Sequence, residues 1–439
     1  MNKILVFSIA VLLILSFWGC TTEPLRTTAP EGTGATAGSD SVITGDPTEM
    51  TTAPYAFDVD LSAPWTAPDV RFGKIAAFSE DGYYLMSGGR LHFFDTNNGI
   101  PVILCQKAGC DHSKSNCEAY IRSPHMMFYS DGHIYYDEPA KSDPYSIHIF
   151  RRNADGTAEE SVAVLGQAYF SPQTSLYIGE YLAAEGALYF TAYLTEAVNQ
   201  DDGSILLLER DAILFRLDLA TGKQQEILRK RDTLIRLIGA RKDALLFYTV
   251  DKLPAETIGD PGYYEEMMNK PAGFQVWDKN NDSFLVLREG TYADFTEILG
   301  LQGDKIYYYD RGGKILTYEV ASDTVSETEW EDIYEIVGDR YILSGKADYF
   351  AKTFPQFTDC ETGQIIPNDY DDAEITVQNK STTGCVIQIE YTGEPEPAGQ
   401  DSYTIPTLRR MLAYVSYDAM SDGLQEKDLL IIADEIYDD

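Results

Sequence analysis

Three cysteines and a histidine share one short stretch, Cys105-x4-Cys110-x-His112-x4-Cys117. Thiolate sulfur and imidazole nitrogen are the donors that zinc(II) prefers, and four of them in a compact loop can close a tetrahedral site. The spacing is not that of a common zinc finger or knuckle. The competing expectation is a disulfide between two of the three cysteines, which a location outside the cytoplasm favours. Free thiols are the third outcome. Asp111 beside His112, and a net charge of -36, add to the attraction for a cation. All 5 histidines lie between His92 and His148. His133 and His148 fall in strands, where an alternating position reads as packing, and His125 precedes a strand as one more candidate ligand.

Asp278-Lys279-Asn280-Asn281-Asp282-Ser283 with Glu289 comes near a calcium-binding EF-hand loop, but Ser283 stands where the sharp turn needs glycine. It reads as a hairpin turn. No nucleophile elbow, phosphate-binding loop, dinucleotide fingerprint or metalloprotease helix motif occurs. Carboxylates are abundant, so a glycosidase pair needs no further signature to be present.

The cysteine at position 20 calls for different chemistry. Ile4 to Phe17 is almost wholly apolar, follows Lys3, and ends in Ser16-Phe17-Trp18-Gly19-Cys20. Such a run is short for a bilayer span and suits the core of a signal peptide. It resembles a bacterial lipoprotein signal with its lipobox, departing at Phe17 where leucine is usual. That resemblance implies cleavage after residue 19, lipidation of Cys20, and a protein anchored on the outer face of the cell membrane. Residues 20–54 are rich in Thr, Pro, Gly and Ala. They cannot bury enough surface to order themselves and read as a tether with a reach of roughly 30 Å. Residues 55–439 are the expected folded domain. The acidity argues against nucleic acid as a partner, since its phosphates would be repelled, and it also serves simple solubility. It also disfavours anionic headgroups, which leaves anchoring to the acyl chains.

These residues need elements to position them. From Lys74 onward an apolar strand, a tight Asp/Gly turn and a Tyr-rich strand recur, as in Ser130-Asp131-Gly132 followed by His133-Ile134-Tyr135-Tyr136. A third strand, a second polar turn and a fourth strand complete each unit. Four antiparallel strands repeated every 40 to 55 residues or so read as an all-β propeller of about seven blades. The expected spans are 74–104, 126–166, 176–228, 233–288, 296–328, 331–367 and 374–432. Six or eight blades, or a pair of β-sandwiches, are the alternatives.

With the strands of a blade labelled A to D, antiparallel pairing puts the A–B and C–D turns on one rim. The B–C loops and D–A connections fall on the other. Nearly all A–B and C–D turns are short. The long insertions, Pro139–Ser146, Thr195–Arg210, Asp251–Ala272, Ser344–Pro355 and Gly393–Thr407, all lie between B and C. Long loops on a rigid scaffold tend to carry function. Tyr145, Tyr263, Tyr264 and Tyr403 lie in them and are candidates to stack on a sugar or a peptide. The Cys105–Cys117 stretch forms the first D–A connection and joins the same rim. Cys360 in one C–D turn and Cys385 after the next A–B turn suit a structural disulfide.

The run Tyr83-Tyr84-Leu85, Leu91-His92-Phe93-Phe94-Asp95, Val102-Ile103-Leu104-Cys105 and Cys110-Asp111-His112 to Cys117 resembles propeller lipoproteins of anaerobic Gram-positive gut bacteria. The resemblance implies a surface propeller and no agreed activity. The expected function is non-enzymatic binding of an extracellular glycan or protein on the long-loop face. A carboxylate-dependent glycan-acting enzyme and a scaffold of a surface complex are the alternatives.

Overall fold

The computed structural model describes residues 59–436, apart from 64, 66–75, 80, 98, 114–115, 123, 140–146, 166–173, 200–204, 255–256, 258–259, 329, 331, 346, 350, 371, 381–382, 394 and 400–401. The A–B turns of blades 2 and 3 share one chemistry. Asp131 and Gly132 take φ of 47° and 79°, and Glu185 and Gly186 take 45° and 74°. Two consecutive left-handed residues make the turn whose twist matches a hairpin, which is why an acidic residue and glycine recur there. The C–D turns use another device. Asp95, Asp218, Asp278 and Asp359 each end strand C and accept a backbone N–H from the turn, at 2.7 Å from Asn97, 3.0 Å from Thr221, 2.8 Å from Asn280 and 2.8 Å from Glu361. Asp278 and Asp282 are thereby spent on the turn itself, Asp282 accepting the Trp277 indole N–H at 2.9 Å. The segment is the expected hairpin.

Among the described residues the strands form seven antiparallel blade sheets, six of them from consecutive strands and the last interrupted in sequence by a separate two-stranded hairpin sheet. Blade 1 holds β1 (Ala76–Phe78), β2 (Gly82–Ser87), β3 (Arg90–Asp95) and β4 (Pro101–Ile103). Blade 2 holds β5 (Met127–Ser130), β6 (His133–Pro139), β7 (Ile147–Asn153) and β8 (Glu160–Leu165). Blade 3 holds β9 (Thr174–Ala184), β10 (Ala187–Asn199), β11 (Ile205–Asp218) and β12 (Gln224–Arg231). Blade 4 holds β13 (Thr233–Ala240), β14 (Ala244–Asp251), β15 (Pro271–Asp278) and β16 (Ser283–Thr291), with helix α1 (Tyr263–Met268) between β14 and β15. Blade 5 holds β17 (Glu297–Gln302), β18 (Lys305–Tyr309), β19 (Ile315–Glu319) and β20 (Thr324–Glu327). Blade 6 holds β21 (Ile333–Val337), β22 (Tyr341–Ser344) and β23 (Gln356–Asp359), its fourth strand reduced to the bridge Thr358–Ile365. Blade 7 holds β24 (Glu374–Lys380) and β25 (Gly384–Thr392), then a small hairpin of β26 (Glu396–Gly399) and β27 (Ser402–Thr404), then β28 (Thr407–Ser416) and β29 (Leu430–Ile436).

The fold is a seven-bladed propeller, as the repeat implies. Each expected span corresponds to one blade; β9 begins two residues before its span, and the last strands of blades 3, 4 and 7 run past the expected ends. The core lies in the seams between blades. Leu188, Phe190 and Phe215 of blade 3 pack with Phe128 and Tyr135 of blade 2, and Phe274 of blade 4 packs with Tyr308 and Tyr318 of blade 5. Strand β14 is buried along nearly its whole length, so its alternation disappears from the sequence. The ring closes where Tyr83 and Phe94 of blade 1 meet Val386 and Tyr414 of blade 7. Among the described residues no sheet mixes strands of blades 1 and 7, and these side chains pack across the seam.

A short strap precedes the ring. Val59 and Trp65 are buried among blade 4 and blade 5 residues. The Trp65 indole lies 4.2 Å from the Arg241 guanidinium, and Arg241 donates to the Ala63 carbonyl at 2.9 Å. Arg241 sits in the A–B turn of blade 4, so the strap lies on the tight-turn rim, far around the ring from the blade that follows it in sequence.

Candidate functional site

The Cys/His loop is pinched out of the outer strand of blade 1. Leu104 N–H bonds to Leu91 O at 3.0 Å, and Leu91 N–H bonds to Ala119 O at 2.8 Å. The bridge Arg90–Tyr120 and the bond from Ile121 N–H to Gly89 O at 3.2 Å extend the pairing. The chain thus leaves the edge of β3 after Leu104 and returns to the same edge at Ala119. Blade 2 grips both ends. Gln106 donates to Asp155 at 3.3 Å, and the Arg152 guanidinium donates to the Glu118 carbonyl. Gly156 lies so close that a Cβ there would stand 2.9 Å from the Leu104 carbonyl oxygen. The loop is a D–A connection, as expected, braced on the C–D turn of blade 2.

Inside it, one donor atom each from Cys105, Cys110, His112 and Cys117 lies within 4.8 Å of all the others. Tetrahedral zinc would space its sulfur donors by about 3.8 Å, so a small contraction suffices. Cys105, Cys110 and Cys117 are thiols, and no disulfide joins any two of them. His112 Nδ1 lies 3.5 Å from Cys117 Sγ. His112 adopts a φ of 56°, a costly backbone state for a residue with a Cβ. Burial disfavours a charge on Cys105, but the N–H groups of Lys107 and Glu118 and the thiols of Cys117 and Cys110 outweigh it and bring the thiol down to about 7. Burial instead pushes Cys117 up. The cluster can hold a metal ion. His125 stands apart from it. Its Nδ1 is 2.9 Å from Asp137, whose other oxygen accepts the N–H groups of His125 and Met126 at 2.6 and 2.7 Å.

Cys360 and Cys385 are not joined by a disulfide. Cys360 is a free thiol packed against the seam of blades 5 and 6, whereas Cys385 is buried in the seam of blades 6 and 7. Blade 6 stands between them. Placing both on one rim was sound, but it left out the face to which each side chain points.

On the long-loop rim, three of the expected insertions carry their own structure. Thr195–Arg210, read as a loop, is largely strand, since β10 and β11 pair from Ala187–Asp218 to Asn199–Ile205. The blade 4 insertion carries α1, and the blade 7 insertion carries the β26–β27 hairpin. Tyr264 is 78% exposed at the surface of α1. Tyr263 is half-buried and meets Tyr264 edge to face at 5.6 Å. Tyr403 lies in β27 opposite Pro397. Tyr145 and Cys20 fall outside the described residues.

Sequence reasoning missed a line of aromatic and acidic residues that continues from α1 across blades 5, 6 and 7 on the long-loop side. Tyr263 lies within electrostatic reach of Tyr292, and Tyr292 of Glu297. Glu297 pairs across the sheet with Tyr309. Tyr309 neighbours Asp332 and Tyr334, and Tyr334 neighbours Tyr349. Tyr349 donates to Glu374 at 2.8 Å. Burial first, and these carboxylates second, raise Tyr292 and Tyr309, and raise Tyr349 to about 12, so all stay neutral near pH 7. Their common signal was position, since Glu297, Tyr334 and Glu374 all stand at the start of an innermost strand. Two other carboxylates, Glu209 and Glu390, are paired with cations and stay charged. Burial opposes the charge on Glu209, but Lys252 at 2.7 Å and the Tyr177 hydroxyl outweigh it and hold the acid low. At Glu390, Thr407 and Arg410 likewise outweigh burial.

No family model matches the chain, and no curated protein does. Solved structures that it resembles include an oligogalacturonate lyase in complex with manganese, at 13% identity and a TM-score of 0.44 over 78% of this chain and 91% of that one. The β-propeller domain of the Trilobed protease from Pyrococcus furiosus matches at 12% identity and a TM-score of 0.36 over 73% and 95%. TolB from Acinetobacter baumannii matches at 12% identity and a TM-score of 0.31 over 78% and 76%.

Proposed function

We propose that this chain is a lipid-anchored propeller on the outer face of the cell membrane that binds an extracellular glycan or protein without transforming it. Its Cys105/Cys110/His112/Cys117 loop holds a structural zinc(II). The observation that carries the binding role is the exposed aromatic surface on the long-loop rim, led by Tyr264. Four protein donors leave no open position on a tetrahedral metal, which suits a structural rather than a catalytic ion. Glu209 and Glu390, held as charged carboxylates, are unsuited to the protonated acid that glycoside hydrolysis needs. The strap brings the chain into the domain on the tight-turn rim, opposite the long loops.

The test is an array of extracellular glycans and surface proteins probed with the wild type and with Tyr264→Ala. Binding should weaken by about tenfold while stability changes by less than about 0.5 kcal/mol, because an exposed ring contributes little to packing. Undiminished binding by the variant takes Tyr264 out of the site. Turnover of any polysaccharide on the array would replace the reading with an enzymatic one.

A further inference from the structure

We infer that the line from Tyr264 through Tyr334 to Glu374 is a binding track for a cationic peptide segment, rich in lysine or arginine. This deepens the proposed binding role and rests on it. Tyr264 is 78% exposed on the blade 4 insertion and Tyr334 52% exposed on blade 6, a large apolar area to leave in water. Tyrosine faces attract ammonium and guanidinium groups through the ring quadrupole, and arginine in addition stacks on them. Three carboxylates alternate with the rings. Glu297 is exposed, and Asp332 and Glu374 are half-buried. Among the described residues no cation pairs with these three. The cations nearby are engaged elsewhere, Arg236 with Glu180 at 2.6 Å, Arg311 with Glu265 at 2.9 Å and Arg410 with Glu390 at 3.2 Å. A neutral glycan would use the rings and leave the acids unanswered. An extended peptide presents alternate side chains about 7 Å apart along one face, so several of them can engage rings and carboxylates at once. The protein's charge of -36 favours encounter with such a partner and repels an acidic one.

The test uses the full folded domain and a fluorescent (Gly-Lys)5 peptide, with a (Gly-Ser)5 peptide and neutral oligosaccharides alongside. The lysine peptide should bind, and raising salt from low to about 0.5 M should weaken it severalfold. Tyr334→Ala and Glu297→Gln should each weaken it about five- to tenfold. Glu361→Gln, an acid of equal charge on the tight-turn rim, should leave it unchanged. Circular dichroism and melting curves confirm that each variant folds, and Tyr264→Ala serves as a second ring variant should Tyr334→Ala fail to. No binding of the lysine peptide, or equal loss with Glu361→Gln, overturns the inference. A neutral oligosaccharide that binds in its place, and loses affinity with Tyr264→Ala, overturns the cationic class while leaving the binding face intact.

Discussion

At His112 the backbone takes a left-handed conformation that aims the imidazole into a group of three thiols. Such a state persists only when its surroundings over-determine it, and four converging donors do so once a metal joins them. On the zinc reading, purified protein should carry about one zinc per chain by elemental analysis. Cys110→Ala or His112→Ala should lose it, and a chelator should lower the melting temperature by a few degrees by freeing the pinch in blade 1. Metal-free protein with a disulfide found by mass spectrometry would decide for the oxidised loop. The cluster was legible in the sequence because its members are near neighbours along the chain. The misplaced Cys360–Cys385 pair shows the limit of that legibility, since turn position gives the rim but not the face. His125 supplies a pH dependence. Its hydrogen bond to Asp137 raises its pKa above 6.5 against the opposing effect of burial. The protonated ring therefore contributes stability that is complete below about pH 6.5 and fades as pH rises through the higher folded value. Half-exposed as it is, it contributes less than about 1 kcal/mol. The melting-temperature gap between wild type and His125→Asn should be wider at pH 6 than at pH 8.5. An equal gap at both would show that the ion pair does not form.

Turns and strands were readable because each follows from local chemistry, an Asp/Glu-Gly pair with two positive φ angles or an Asp closing strand C. The blade 3 hairpin was not, because its strands outrun the blade and its extra length looked like a loop. Thr195-Glu196-Ala197-Val198 against Leu206–Glu209 carries the signal that was there to find, a mainly apolar run facing its partner across a bulge after Leu194. The strap was invisible for another reason. Val59 and Trp65 gain their burial from blades 4 and 5, more than 170 residues downstream, as in the bond from Arg241 to Ala63 at a separation of 178. Trp65 is 6% exposed and stacks on Arg241. Trp65→Ala should cost about 3 kcal/mol or more, through lost burial and the cavity left behind. Trp65→Phe should recover much of it. A melting temperature unchanged in Trp65→Ala would mean that the strap is detached in solution.

Across the whole molecule the repeat explains why the blade count could be read, since the seven blades repeat the phrase and bury it against the next. It also explains why the acidic and aromatic line could not, since its members come from different blades and meet only when the ring closes. The proposed membrane anchor is also tested on the whole molecule. No described helix is long and apolar enough to cross a bilayer. The net charge of -36 repels anionic headgroups, and the strap's large aromatic, Trp65, is consumed by blades 4 and 5. On the lipid-anchor reading proposed above, attachment rests on Cys20, whose acyl chains would bury enough methylene groups to hold stably when there are two or more, at about 0.8 kcal/mol for each. Cys20→Ala should move the protein from the membrane fraction to the soluble fraction while leaving its melting curve unchanged, because the residue lies far outside the packed seams in sequence. Full retention of Cys20→Ala in washed membranes would mean that another surface holds the protein there, and the lipid anchor would have to be given up.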